Sequence, residues 1–140
     1  MFNQPIRNLL EQQKFLTASP DTTVYVAAEK MASRRVGALL VVENERLVGI
    51  VTERDVLFRV VAQGRDASRT RICEVMSAAP ITLAPDKSYG HALLLMQVNG
   101  FRHIPVVEND RPIGIISSRS AMDPDLEEFT SEARRREYYR

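Results

Sequence analysis

The feature that most constrains this 140-residue chain is an internal repeat. Residues 17–55 align without a gap on residues 82–120, at an offset of 65, with 13 identities in 39 positions. Among the identities are Thr17 with Thr82, Pro20 with Pro85, Met31 with Met96, and the shared turn Glu43-Asn44-x-Arg46 with Glu108-Asn109-x-Arg111. A period of this length is the mark of one supersecondary unit built twice. Each copy ends alike, Gly49-Ile50-Val51-Thr52-Glu53-Arg54-Asp55 in the first and Gly114-Ile115-Ile116-Ser117-Ser118-Arg119-Ser120 in the second. In the first copy Thr52 is an N-cap type, with Asp55 three residues later in the first turn of a helix. The stretch therefore predicts a buried strand that ends in a polar, anion-friendly corner.

The local pattern within one repeat reads β-α-β-β-α. A brief strand is expected at 15–17, followed by a turn at Ser19-Pro20-Asp21-Thr22. Val24, Ala27, Ala28 and Met31 are spaced i, i+3, i+4, i+7, which predicts a helix. The apolar run 37–42 turns at Glu43-Asn44-Glu45-Arg46 into a return strand over 47–51. A helix from Thr52 to about Gln63 follows, with Val56, Leu57, Val60 and Val61 as its face and Gly64 as its stop. A short helix over 5–13 and a similar lead-in at Ile72, Val75 and Met76 precede the two units. The domain boundaries implied are 1–66 for the first repeat with its lead-in, 67–122 for the second, and 123–140 for a C-terminal helical tail. The tail carries Leu126, Phe129 and Ala133 on one side and ends near Arg134-Arg135-Arg136.

Composition narrows the function. The chain is 44% apolar and 26% charged, with a formal net charge of +1. That is an ordinary globule with no whole-molecule field for nucleic acid or an acidic membrane. The basic run in the tail lacks the interleaved aromatics of an RNA-binding sheet, so a solvated or partner-contacting helix is the expectation there. Cys73 is alone, which fits a reducing compartment. No apolar run is long enough to span a bilayer, and residues 1–13 lack the pattern of a signal peptide, so the expected location is cytoplasmic. The two histidines and one cysteine have neither metal-ligand nor nucleophile spacing, and no glycine-rich phosphate loop is present. No catalytic or metal site is expected. In the second repeat Leu94 and Leu95 replace Glu29 and Lys30, which makes that helix apolar on more than one face and predicts either self-association through it or a deeper intrachain core.

The paired Gly-Ile-x-Thr/Ser endings resemble those of a tandem pair of CBS domains, a Bateman module. So do Val75-Met76, Thr82-Leu83-Ala84-Pro85 and the strand His103-Ile104-Pro105-Val106-Val107. The resemblance covers about residues 5–122. It implies an α/β (α+β) fold: two pseudo-twofold-related β-α-β-β-α repeats packed through their sheets, plus the C-terminal helix. It implies two clefts between the repeats, binding of an adenosine-containing ligand (AMP, ADP, ATP, S-adenosylmethionine or a dinucleotide such as NAD), and regulation of a partner rather than catalysis. Pairs of this kind commonly associate into a disc-like dimer, and no obligatory cofactor is implied.

Carried onto this sequence, the resemblance places the ribose on Asp55, with Thr52, Ile50 and Arg54 beside it. The adenine would lie near Thr82, Arg102, His103 and Pro105. The pseudo-equivalent cleft would use Thr17, Gly37, Ala38, Ile115, Ser117, Arg119 and Ser120. The residues support a ligand cleft independently, because a carboxylate accepts from both ribose hydroxyls and Thr52 with nearby N–H groups can donate to phosphate. Thr52-x-x-Asp55 also fits a variant capping box, and the two roles are compatible. Ser120 stands where the first repeat has Asp55, so the second cleft is expected to be empty, weaker, or used by another ligand. Two functions stay open beside each other: a sensor that signals ligand occupancy to a partner, and a ligand-free dimerisation module.

Overall fold

A computed structural model of the chain describes residues 2–10 and 14–119. Helix α1 (Ile6–Leu10) leads into strand β1 (Thr17–Ala18), helix α2 (Val24–Arg34), strands β2 (Ala38–Glu43) and β3 (Arg46–Thr52), and helix α3 (Glu53–Val56). A wider π-type turn continues α3 over Leu57–Val61. After the linker come a 3-10 turn (Ile72–Glu74), strand β4 (Ser77–Ala78), helix α4 (Tyr89–Asn99) and the hairpin β5 (His103–Glu108) and β6 (Arg111–Ser117). The expected last helix of the second repeat, the tail over 123–140, and Ser120 lie outside the described residues.

The repeat read from the sequence is repeated in detail. β2 and β3 pair antiparallel with Leu39 opposite Val51 and a bulge between Val41 and Val42. β5 and β6 place Ile104 opposite Ile116 and bulge between Val106 and Val107, each position 65 residues on. Both hairpins turn through two residues of positive φ, Asn44-Glu45 and Asn109-Asp110. That is the backbone that matches strand twist, and Asn tolerates it better than most residues. Thr23 caps α2 by accepting from the Val26 N–H, and Ser88 caps α4 by accepting from the His91 N–H. Both helices end on a left-handed residue, Arg35 in the first and Gly100 in the second. Only the glycine adopts that conformation without steric strain.

One departure from symmetry follows from Pro105. The Leu40 N–H donates to the Leu16 carbonyl (2.9 Å) and helps pair β1 with β2. Pro105 occupies the same place in the second repeat and has no N–H to give. The counterpart of β1 there is reduced to one bridge, Leu83 with Val106, held by the bonds Leu83 N–H to Pro105 O and Val107 N–H to Leu83 O. The first sheet therefore has four strands in the order β1-β2-β3-β4, and the second has two.

Three apolar clusters hold the molecule. One lies between α2 and the first sheet, around Val24, Ala27, Met31, Leu39, Val51 and Val60. A second lies between α4 and the second sheet, around Tyr89, Ala92, Met96, Ile104 and Ile116. The third is the layer between the sheets, where Ala38, Leu40 and Ile50 meet Ile115. Alternation along the strands sends successive side chains to opposite layers. At the open end of the sheets an ion pair joins the two hairpin turns, Arg111 Nη2 to Glu45 Oε2 at 2.9 Å.

The lead-ins cross. α1 precedes the first repeat in the chain but packs in space on the second. Ile6 is fully buried in the second cluster, its N–H donates to the Lys87 carbonyl, the Tyr89 N–H donates to the Gln4 carbonyl, and Arg7 pairs with Glu108. Conversely Ile72 and Val75, which lead into the second repeat, are buried in the first cluster, and β4 extends the first sheet beside β3. The crossing ties the repeats through backbone hydrogen bonds as well as through the apolar layer.

Two helix faces differ from the periodicity. Leu57 and Val61 were expected to face the core, but both are exposed, whereas Val60 is buried. They sit one step around from Val56 and Val60, beyond the buried edge, in the wider π-type turn that stands where the spacing predicts regular α-helix. On α4, Leu95 is half-buried against the second cluster, and the outward apolar pair is Leu94 and Val98. Because the crossing makes α1 part of the second core, Ile6→Ala should lower unfolding free energy by about 2–4 kcal/mol. Denaturant titration measures that loss. Hydrogen exchange should accelerate first in α4, β5 and β6, while β1 to β3 stay protected; acceleration confined to the first sheet would contradict the crossing.

Candidate functional site

Two clefts open between the repeats. The larger, of about 820 Å³, is lined by Ile50, Thr52, Arg54, Asp55, Arg102 and His103, all expected from the sequence. The helix that follows β3 builds one wall, and the segment joining α4 to β5 builds the other. At the corner, the Thr52 N–H and hydroxyl donate to Asp55 Oδ2 at 2.9 and 3.1 Å, and the Asp55 N–H donates back to Thr52 Oγ1 at 3.3 Å. The capping box is thus present. It holds Asp55 as one of two buried polar residues among those described, at 8% exposure. Asp55 Oδ1 takes no cap bond and lies 3.6 Å from Arg59 Nε. A carboxylate has about four lone-pair positions, so the cap leaves acceptor capacity on a group already fixed in orientation.

Residues missed by the sequence reading complete this cleft. Phe58, Ile81, Pro80 and Phe101 give it apolar surface, and Glu53, Arg59 and Ser77 add polar groups. Arg54 lies over the Phe58 ring, 5.0 Å from its centroid, a cation–π distance. Phe58 and Ile81 are half exposed although large and apolar, which is the sign that could have marked them. Two expected residues are not brought here. Thr82 is exposed and outside the lining. Pro105 is buried on the inter-sheet face where the first repeat has Leu40, below the cleft rather than in its wall.

The smaller cleft, of about 560 Å³, is lined by the expected Gly37, Ala38, Ile115, Ser117 and Arg119. Thr17 is exposed and does not line it. Lys14, Phe15 and Arg35 join it from the first repeat. Its charged lining is Lys14, Arg35, Arg102 and Arg119 against Glu53 alone, so it is the more basic of the two. The Tyr89 hydroxyl donates to the Ser117 carbonyl at 2.7 Å and pins the end of β6 at its edge.

Glu53, Arg102 and His103 line both clefts. Burial holds the His103 imidazole below the ordinary histidine range; Glu53 pulls it back up, and Arg102 pushes it down again. Among the described residues no group of three or more His, Cys, Asp or Glu could hold a metal ion. No described helix is long and apolar enough to cross a membrane.

The comparisons agree with this architecture. The CBS domain family matches the chain twice, over residues 6–62 and 72–124. The mitochondrial CBS domain-containing protein CBSX3 of Arabidopsis thaliana is 35% identical over 130 residues, which cover 89% of this chain. The chain spans 63% of that relative and 20% of each of two other Arabidopsis CBS-domain relatives. A solved CBS-domain protein from Burkholderia ambifaria MC40-6 has a TM-score of 0.81 at 32% identity, covering 89% of this chain and 95% of that one. The CBS domain pair of protein MJ0100, solved in complex with 5′-methylthioadenosine and S-adenosyl-L-methionine, has the same fold (TM-score 0.78, 24% identity, coverage 89% and 98%). Two matched segments at the spacing of the internal repeat, folded into two sheets with clefts between them, make the chain a member of the CBS-domain family, carrying a tandem CBS pair.

Proposed function

We propose that this CBS pair is a regulatory module that binds one adenosine-containing ligand, AMP, ADP or ATP, in the larger cleft and signals occupancy to a protein partner. The observation that carries the reading is the composition of that one cavity. Asp55 offers a fixed, mostly buried carboxylate for a ribose diol. Phe58, Pro80, Ile81 and Phe101 offer apolar surface for a base. Arg54, Arg59 and Arg102 outnumber Glu53 and Asp55, which suits a phosphate chain. S-adenosylmethionine or NAD would use the same ribose and base contacts, and MJ0100 is a pair of this fold that holds adenosine compounds. The smaller cleft is the weaker nucleoside site, because Ser120 replaces the carboxylate. The role we read is binding: the Asp55 carboxylate is held by its own cap, at a cleft whose apolar and cationic lining suits a nucleotide.

A ligand biases the module only if it binds one arrangement of the repeats better than another. Two chains would associate through α4, where Leu94 and Val98 are 58% and 73% exposed. The competing reading, a ligand-free dimerisation module, keeps the second property and denies the first.

Isothermal titration of nucleotide-stripped protein with AMP, ADP, ATP and S-adenosylmethionine should give about one site per chain. Asp55→Asn retains an acceptor for the Thr52 N–H, so its fold should survive while nucleotide affinity falls by roughly tenfold or more. Asp55→Ala should lose binding and also about 0.5–2 kcal/mol of stability through the cap. Unchanged affinity in Asp55→Asn, or no binding of any of the four ligands by the parent protein, favours the ligand-free reading. Leu94→Glu should shift the protein to monomer in analytical ultracentrifugation with its melting temperature little changed; a dimer that persists in Leu94→Glu contradicts association through α4.

A further inference from the structure

The offset of 65 pairs Gly37 and Ala38 of the first repeat with Arg102 and His103 of the second. In a pseudo-twofold unit these pairs face each other where the clefts meet. The packing there leaves room for bulk on one side only. A Cβ added to Gly37 would come 3.2 Å from Glu53 Oε1 and 3.5 Å from His103 Cε1. The Gly37 carbonyl also accepts the Glu53 N–H at 2.9 Å, which fixes the backbone from which Glu53 projects. The first repeat supplies the small residues, and the second fills the space with an imidazole and a guanidinium. As a result Glu53, Arg102 and His103 form a wall common to the two cavities.

We propose that His103 is a proton-linked binding group shared by both clefts: an anionic ligand entering either one draws a proton from solvent onto its imidazole. This rests on the reading that the clefts take phosphate-bearing ligands. In the free protein the groups facing His103 are Glu53 from α3 and Arg102 from its own segment. Arg54, Asp55 and Arg59 lie in the larger cleft, and Lys14, Arg35 and Arg119 in the smaller. Burial is the main force against the charged imidazole, Glu53 opposes it and Arg102 adds to it, and the net effect leaves the imidazole neutral at neutral pH. A bound phosphate puts further negative charge beside the wall and adds to the pull of Glu53 against burial. Linkage then requires the converse, that protonation of His103 strengthens anion binding. Once the first anion has charged the imidazole, a second anion in the other cleft meets a cationic wall. Well below the free midpoint of His103 the proton is already bound, and this coupling disappears.

The sign for stability is separate. The midpoint of His103 in the folded chain is lowered, so its contribution to stability is full above the unfolded histidine value and is lost as pH falls through the folded midpoint. His103→Gln should flatten that part of the pH–stability curve.

The test follows the Cε1–H signal of His103 by NMR across pH, assigned by its loss in His103→Gln. Excess inorganic pyrophosphate or ATP should raise the His103 midpoint by about one unit. Glu53→Gln should lower the free midpoint further. Calorimetry of ATP in buffers of differing ionisation heat should register proton uptake that His103→Gln abolishes. In the parent protein ATP affinity should rise several-fold on acidification, at most about tenfold per pH unit for one linked proton. A His103 midpoint unmoved by either anion at any concentration overturns the proposal. So does proton uptake that persists in His103→Gln, and in both cases tight ATP binding would leave the nucleotide reading standing. If pyrophosphate moves the midpoint but ATP binds no better than pyrophosphate, the nucleotide reading fails and the proton link stands.

Discussion

The structure depends on the apolar layer between its two sheets. Ala38, Leu40 and Ile50 from one repeat meet Ile115 from the other, with Phe15, Val42 and Leu47 at the margins. Each sheet also covers a helix on its other face, so its strands are apolar on both sides, as the runs Leu39-Leu40-Val41 and Ile115-Ile116 require. A chain this short buries limited surface, and the shared layer lets one interface serve two small units. The clefts are lined by the strand ends away from the hairpin turns, around 37–38, 50–55, 102–103 and 115–119, so each draws residues from both repeats.

The two halves are alike in backbone and unlike in chemistry. Register, bulge, hairpin turn and helix cap recur at the same offset, because the residues that set them recur. The differences fall at positions where backbone geometry tolerates several side chains. Leu40 becomes Pro105, Gly37 becomes Arg102, Ala38 becomes His103 and Asp55 becomes Ser120. The first change shortens a sheet, and the next two give the clefts a common charged wall. The last leaves the second repeat without the carboxylate that the first has at that position of the sequence. Duplication supplied two equivalent corners, and these few substitutions make them unequal.

Much of this was legible in the sequence because it is local. The alignment of 17–55 on 82–120, the stripe Val24-Ala27-Met31, the Glu-Asn turn and Thr52-x-x-Asp55 all concern residues a few positions apart. The crossing of the lead-ins was not legible, since nothing in the periodicity of Ile6, Leu9 and Leu10 says which of two similar cores receives them. Family resemblance placed both Thr82 and Pro105 in the cleft, yet Thr82 lies outside its lining and strand alternation sends Pro105 into the inter-sheet layer. Phe58 was hidden because it lies next to a helical stripe and reads as surface. Glu53 was passed over as a plain first-turn acid; its role in the wall depends on the close approach of Gly37, which is a tertiary fact.

The two clefts are proposed to be unequal, with the Asp55 corner as the nucleoside site. The most direct test is a backbone amide NMR titration of the isotope-labelled, nucleotide-stripped chain with ATP. Amides at 52–55, 77–79, 81 and 99–103 should shift first and saturate together. Those at 37–38 and 115–119 should move only at higher ligand concentration, apart from changes passed through the shared wall. Equal shifts in both clefts at every concentration, or shifts confined to residues outside them, would contradict it.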